Sequence, residues 1–161
     1  MSRKAGENDL AWMQQALVLA QHAQQQGEVP VGAVLVRDGV VIGKGWNRNI
    51  GLHDPAAHAE IMALRAAGLA SANHRLPGCT LYVTLEPCCM CAGAMIHARL
   101  ERLVFGAPDP KTGAAGGNFD ILGDVRHNHV IAVQGGCREV ECAAILKKFF
   151  KAKRRSDQAE N

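Results

Sequence analysis

The chain has 161 residues, 48% of them hydrophobic and 20% charged, and a net charge of only +3. That is the composition of one globular domain able to bury a substantial core; no apolar run approaches bilayer-spanning length, and the charge by itself announces no nucleic-acid partner. The polar first nine residues lack a signal-peptide core. The expectation is a cytoplasmic protein whose six cysteines stay reduced, which disfavours a disulfide framework and makes a metal site the better use of clustered Cys.

In chain order, Leu10, Trp12, Met13, Ala16, Leu17 and Leu19 form a helical stripe that ends in a Gln run and Gly27. Residues 31–36 and 40–42 read as strands joined at Asp38-Gly39, a two-residue hairpin signal. Their apolar runs barely alternate, which predicts helices on both faces of the sheet. Residues 45–49 follow as loop. Asp54 and Pro55 are a cap and a first-turn proline, predicting a helix from there to about Leu69. A third strand at 81–85 feeds directly into a helix from Cys88 to about Arg99, and a fourth strand follows at 103–105. Strand, helix and strand at this spacing predict a right-handed parallel crossover. The Gly-, Pro- and Ala-rich stretch 108–117 is loop, with a short helical segment expected at 119–122. A last strand at 130–133 and an amphipathic helix at about 139–153 close the chain. The predicted fold class is α/β: a single domain over 1–161, layered α/β/α around a central mixed five-stranded sheet, with its core over about 9–155 and frayed polar termini.

The chemistry is concentrated in two short stretches, His58-Ala59-Glu60 and Pro87-Cys88-Cys89-Met90-Cys91. One His and two Cys make three zinc ligands, where a structural zinc is normally closed by four; the open fourth position marks a catalytic ion. Zinc can lower the pKa of a bound water from about 15.7 to about 7, and Glu60 is then wanted as a proton shuttle rather than a ligand. Cys88 and Cys91, three apart, share a helix face, whereas His58 and Glu60, two apart, do not. That pair converges on one ion only if the ion lies at the helix end, where exposed N–H groups and the helix dipole also favour thiolates. A lone C-x-x-C fits a redox pair equally, and a lone His a satisfied polar residue; the ordered combination on helix starts favours zinc catalysis. Cys89, about 100° round the helix from Cys88, reads as a packing residue.

Near the C-terminal end, Lys147, Lys148, Lys151, Lys153, Arg154 and Arg155 surround Phe149 and Phe150. The bland reading is a solvated helix face. The sharper one is a surface where Lys151 and Arg154 hold phosphates and Phe149 or Phe150 stacks a base.

These motifs resemble those of the bacterial tRNA-specific adenosine deaminases within the cytidine-deaminase superfamily. H-x-E and P-C-x-x-C mark the superfamily; P-V-G-A-V at 30–34, W-N-R at 46–48, A-G-A-M-I-H at 92–97 and K-T-G-A-A-G at 111–116 narrow it. The resemblance covers nearly all of residues 9–155 and implies a cytidine-deaminase-like fold with one zinc ion per subunit on His58, Cys88 and Cys91. It implies that Glu60 shuttles the proton while water attacks C6 of adenine and ammonia leaves. Adenosine at the wobble position (34) of a tRNA anticodon becomes inosine, the arginine tRNA with anticodon ACG being the usual bacterial substrate. Asn47 is then expected to bind the base edge, Ala59, the Glu86 carbonyl and Pro87 to line the same pocket, and Asp109 and Lys111 to lie beside the anticodon stem-loop. A homodimer is implied, with the Cys88 helix region near its interface. Cys89 departs from the family pattern, and Gly117-Asn118-Phe119 is less familiar. Two other readings compete. Deamination of a free base or nucleotide, such as guanine or deoxycytidylate, has no use for a basic, aromatic-bearing helix. A catalytically silent zinc module needs neither Glu60 nor an open ligand position.

Overall fold

The structure, a computed structural model, describes residues 6–160. Its elements in order are α1 (Glu7–Gln25), β1 (Gly32–Arg37), β2 (Val40–Trp46), α2 (Ala59–Ser71), β3 (Thr80–Leu85), α3 (Cys89–His97), β4 (Arg102–Ala107), β5 (Ala132–Gln134) and α4 (Glu139–Ala159). The strands lie in the order β2-β1-β3-β4-β5. β1 is antiparallel to β2 and to β3, while β3, β4 and β5 run parallel. This is the mixed five-stranded sheet expected from the sequence.

Strand β1 shows why its sequence does not alternate. Ala33 and Leu35 pack into one core with Ala63 and Ala67 of α2 and Met95 of α3. Val34 and Val36 point the other way, into a core with Met13 and Leu17 of α1 and Cys142 of α4. Both faces are covered, so both residue sets are apolar. The β1–β2 turn places Asp38 and Gly39 at φ 51° and 72°, as a two-residue hairpin turn of this kind requires.

Gly45 and Trp46, read from the sequence as loop, belong to β2. A Cβ at Gly43 would collide with the Ala63 carbonyl of α2, and one at Gly45 with the Ala59 carbonyl. The glycines therefore mark close approach of a helix, not a break in the strand. The helix expected from Asp54 begins at Ala59 instead. Asp54 Oδ1 accepts the Ala56 N–H at 2.9 Å, so its side chain caps a local turn rather than the helix. No helix forms at 119–122; Ala115 and Asp120 form an isolated bridge, and Asp120 Oδ1 accepts the Gly123 N–H. The last strand is shorter and later than expected. Of the termini expected to fray, residues 1–5 and 161 lie outside the described residues, and α4 continues past Lys153 to Ala159.

Buried Asp9 fastens α1 to the sheet. Its carboxylate accepts two hydrogen bonds from Arg102 of β4, both 2.8 Å, and one from the Tyr82 hydroxyl of β3 at 2.7 Å. The Arg102 guanidinium holds this carboxyl down to about 2, from an ordinary 3.8. A folded pKa below the unfolded one stabilises the fold by on the order of 2 kcal/mol, fully present above pH ~4 and lost as the pH falls through the folded value. Among the described residues no helix is long and apolar enough to cross a membrane.

Candidate active site

Two helix starts meet at the site. His58 is the N-cap of α2 (φ −69°, ψ 155°) and Cys88 the N-cap of α3 (φ −76°, ψ 175°); neither side chain caps its own helix. Ser, Thr, Asp or Asn would normally stand at these positions. Here the cap of α2 comes from outside, from Asn47 just beyond β2, whose Oδ1 accepts the Ala59 N–H at 2.8 Å. His58 and Cys88 are thereby free to turn toward one another across the two helix ends.

The three donor atoms cluster. His58 Nδ1 lies 3.6 Å from Cys88 Sγ and 3.5 Å from Cys91 Sγ, and all three lie within 4.8 Å of one another. Donors about 2.0–2.3 Å from a tetrahedral zinc are separated by roughly 3.5–3.8 Å, and both His58–sulfur distances match that spacing. Hydrogen bonding with Cys91, and then with His58, holds the Cys88 thiol down to about 4 despite its burial. The same contact raises the Cys91 thiol, and a hydrogen bond with Cys88 raises His58. The cluster thus favours a thiolate at Cys88, at two helix N-termini whose dipoles stabilise it. Glu60 follows in the first turn of α2, 4% exposed, and burial pushes its carboxyl up. A carboxyl so placed is suited to act as both general acid and general base.

His58, Glu60 and Cys88 open into a cavity of about 230 Å³, whose lining also includes Asn47, Asn49, Glu86, Asp109 and Thr112 with Val29, Val31 and Leu85. Ala59, Pro87 and Cys91 are buried behind it. Ala59 serves Asn47 through its N–H, and the Pro87 carbonyl accepts the Ala114 N–H at 2.8 Å. Val29, Leu85, Asp109 and Thr112 also line a second groove of about 710 Å³, so the two are continuous. That groove carries Pro108, Pro110 and Lys111 on one side and Leu146, Lys147, Phe150 and Arg154 of α4 on the other. Phe150 is exposed, and half-buried Phe149 meets it edge-on with centroids 5.3 Å apart. Lys151 is exposed on α4 and is not part of the groove wall.

Sequence reasoning missed Glu28, Asn49 and Thr112. Glu28, 3% exposed, accepts the Ile50 and Gly51 N–H groups at 3.0 and 2.9 Å and so shapes the turn after Asn47. Its signal was an acid set directly before a strand with no polar position left in its core. The Glu86 side chain was passed over in favour of its carbonyl. It too is 3% exposed, and accepts N–H groups from Asp109, Ala115 and Gly117 at 3.0, 3.0 and 2.8 Å.

The MafB19-like deaminase family matches residues 7–154. The tRNA-specific adenosine deaminase of Haemophilus influenzae is 50% identical over 155 residues, 96% of this chain and 90% of that protein. The Bacillus subtilis enzyme of the same name is 43% identical over 94% of each chain. A solved structure from a study of A-to-I editing by tRNA:A34 deaminases superposes with a TM-score of 0.82 at 48% identity, covering 84% of this chain and 99% of that one. A guanine deaminase from Nitrosomonas europaea superposes at 0.77 but is only 26% identical, over 92% of this chain and 87% of that one. With a three-donor cluster and a buried carboxyl at the helix ends, and with identity of this extent to proteins of one activity, the chain belongs to the tRNA-specific adenosine deaminases.

Proposed function

We propose that the protein hydrolyses adenosine at the wobble position of a tRNA anticodon to inosine and ammonia, with the arginine tRNA of anticodon ACG as its expected substrate. The observation that carries this reading is a His58–Cys88–Cys91 cluster beside buried Glu60, in a base-sized cavity that continues into a groove lined by Lys111, Lys147, Phe150 and Arg154. His58, Cys88 and Cys91 would hold one zinc ion. Zinc so bound would supply Lewis acidity, lowering the pKa of a water to about 7. Glu60 takes up the proton that water gives and returns it to the departing amino group as the C6–N6 bond breaks and the C6–O bond forms. Asn47, its Oδ1 tied to Ala59, offers its Nδ2–H donors to an acceptor on the purine edge. Asp109 and Thr112 close the cavity on its outer side. Phe150 stacks a flanking base while Lys111 and Arg154 meet phosphates. Phe149 supports Phe150, and Lys151 adds charge to the same helix.

A homodimer and a cytoplasmic location complete the proposal. The dimer is supported by a groove of about 1200 Å³ between α2 and α3, away from the site, lined by Ile61, Leu64, Leu69, Ala94 and His97 among others.

The likeness to guanine deaminases gives a specific competitor, a free purine as substrate. One experiment separates the two. Purified protein is incubated with total tRNA, which is then sequenced for A-to-G changes, with free guanine and cytidine as controls and a chelator-treated sample. Editing at position 34 that disappears with the metal is expected; guanine turnover with unedited tRNA would overturn the proposal.

A further inference from the structure

Glu86 sits where β3 hands over to the α3 N-cap, yet nothing in its side chain is spent on the metal end. Oε1 accepts the Asp109 N–H and Oε2 accepts those of Ala115 and Gly117. All three donors come from the 108–117 segment after β4, which wraps a buried carboxylate instead of a ligand. Gly113 and Gly117 are what permit the wrap: a Cβ on either would collide with the Glu86 carboxylate and with the Asp109 carbonyl. The loop then closes on itself, with the Gly113 N–H on the Asp109 carbonyl and the Asn118 and Phe119 N–H groups on the Gly113 carbonyl.

What the clamped loop carries decides its consequence. Asp109 and Thr112 face the inner cavity, and Asp109, Lys111 and Thr112 face the outer groove with Pro108 and Pro110. Asp109 is itself spent within the loop, accepting the Lys111 and Thr112 N–H groups and the Thr112 hydroxyl. This small unit is oriented relative to Glu60 by the three hydrogen bonds to the Glu86 carboxylate and by the Ala114 N–H on the Pro87 carbonyl. The opposite wall uses the same device, with Glu28 holding the Ile50–Gly51 turn.

We propose that Glu86 is a positioning residue for substrate: its carboxylate, spent on three backbone N–H groups, fixes the 108–117 loop as one wall of the cavity, so that substrate affinity depends on that carboxylate through the loop. This rests on the tRNA deaminase reading. Three charge-assisted hydrogen bonds to backbone fix the loop more firmly than neutral ones would. An amide in place of the carboxylate must turn at least one N–H donor toward a backbone N–H.

The test pairs Glu86→Gln with Gly113→Ala, which crowds the carboxylate while leaving it in place. Both are assayed on an anticodon stem-loop for kcat and KM, for bound zinc, and for amide hydrogen exchange. Exchange should speed up at Asp109, Ala115 and Gly117 in both variants, with zinc unchanged. KM should rise and kcat/KM fall by about 10- to 100-fold, since misplacement of the order of 1 Å costs that much, while kcat falls less because saturating RNA re-forms the wall. Loss of zinc in Glu86→Gln with Gly113→Ala silent would overturn the proposal, making Glu86 a support of the metal turn. Faster loop exchange with unchanged KM would overturn it equally. A wild-type protein that leaves the RNA unedited overturns the functional reading; an active wild type matched by its variants overturns this inference alone.

Discussion

The metal end of the cavity and the α4 side of the groove face the same space and are built on opposite rules. At the metal end each functional atom hangs from backbone that is itself held: His58 and Cys88 are N-caps, Glu60 is buried in the first turn, and Asn47 caps the helix that bears two of them. On α4 residues 151–159 are exposed, and Arg154 alone among the last four basic side chains reaches the groove wall. A site whose groups have single positions loses function steeply on one substitution. A charged helix face loses it gradually, since each phosphate contact is one of several.

The widest contrast comes from Glu60→Gln. It should keep fold and zinc yet lose about 10² to 10⁴ in turnover, whereas His58→Ala or Cys88→Ala should lose the metal and stability as well. Zinc content measured beside single-turnover rates checks this. Near-normal turnover in the Glu60 variant would remove the distinction between the two walls, because the buried carboxyl beside the donor cluster would then be idle.

Asn47 sharpens the comparison, since it caps α2 and, in the proposed function, also reads the base. Asn47→Ala should lower kcat/KM for tRNA by roughly 10- to 100-fold because the base-edge hydrogen bond is no longer made, and tRNA affinity much less, because phosphates supply most of that. It should also cost about 1 kcal/mol of stability through removal of the cap. Asn47→Asp retains an acceptor for the Ala59 N–H but not the amide donors. Its melting temperature should recover while its kcat/KM does not. If deamination and binding fall by the same factor in the Ala variant, Asn47 is not reading the base.

This dual role also shows how far the residues alone could be read. The His58–Cys88–Cys91 cluster and Glu60 were legible because the proposed zinc site demands those residue types at that spacing, and the sheet was legible because runs such as Val31 and Val34 to Val36 leave no polar face. The start of α2 was not. Asp54-Pro55 satisfies every local rule for a helix start, but the cap is supplied by Asn47 across the chain, and a cap given in space leaves no trace in neighbouring residues. Gly45 misled for the same reason, as its small size, like that of Gly43, answers to α2 rather than to a turn. Nor could Glu86 be assigned its loop, because its three partners are backbone groups more than twenty residues away.

A smaller effect is expected on α4. Changing Lys151, Lys153, Arg154 and Arg155 to Gln, with both Phe left in place, should weaken tRNA binding and flatten its salt dependence by about 0.7 in log–log slope for each phosphate no longer neutralised. Zinc content should not change. Arg154→Gln alone should account for the largest share, being the member on the groove wall. Unchanged affinity and slope in the fourfold variant would make α4 a solvated face and leave tRNA binding to the Lys111 loop.

The smallest effect tests the comparison from inside the metal stretch. Cys89 stands between Cys88 and Cys91 in sequence, but Cys88 is the N-cap and Cys91 lies buried one turn on, which leaves Cys89 exposed at the first helical position rather than packed as its sequence position suggested. It is absent from the donor cluster that His58, Cys88 and Cys91 form. If position in space decides the cost of a substitution, Cys89→Ser should keep stoichiometric zinc and wild-type turnover, since a serine at the opening of a helix is well tolerated. If position in sequence decides it, zinc will be lost as it is in Cys88→Ala. Metal analysis of Cys89→Ser beside Cys88→Ala separates the two, and zinc loss on the Cys89 substitution would mean that the ligand pair has been assigned to the wrong sulfur.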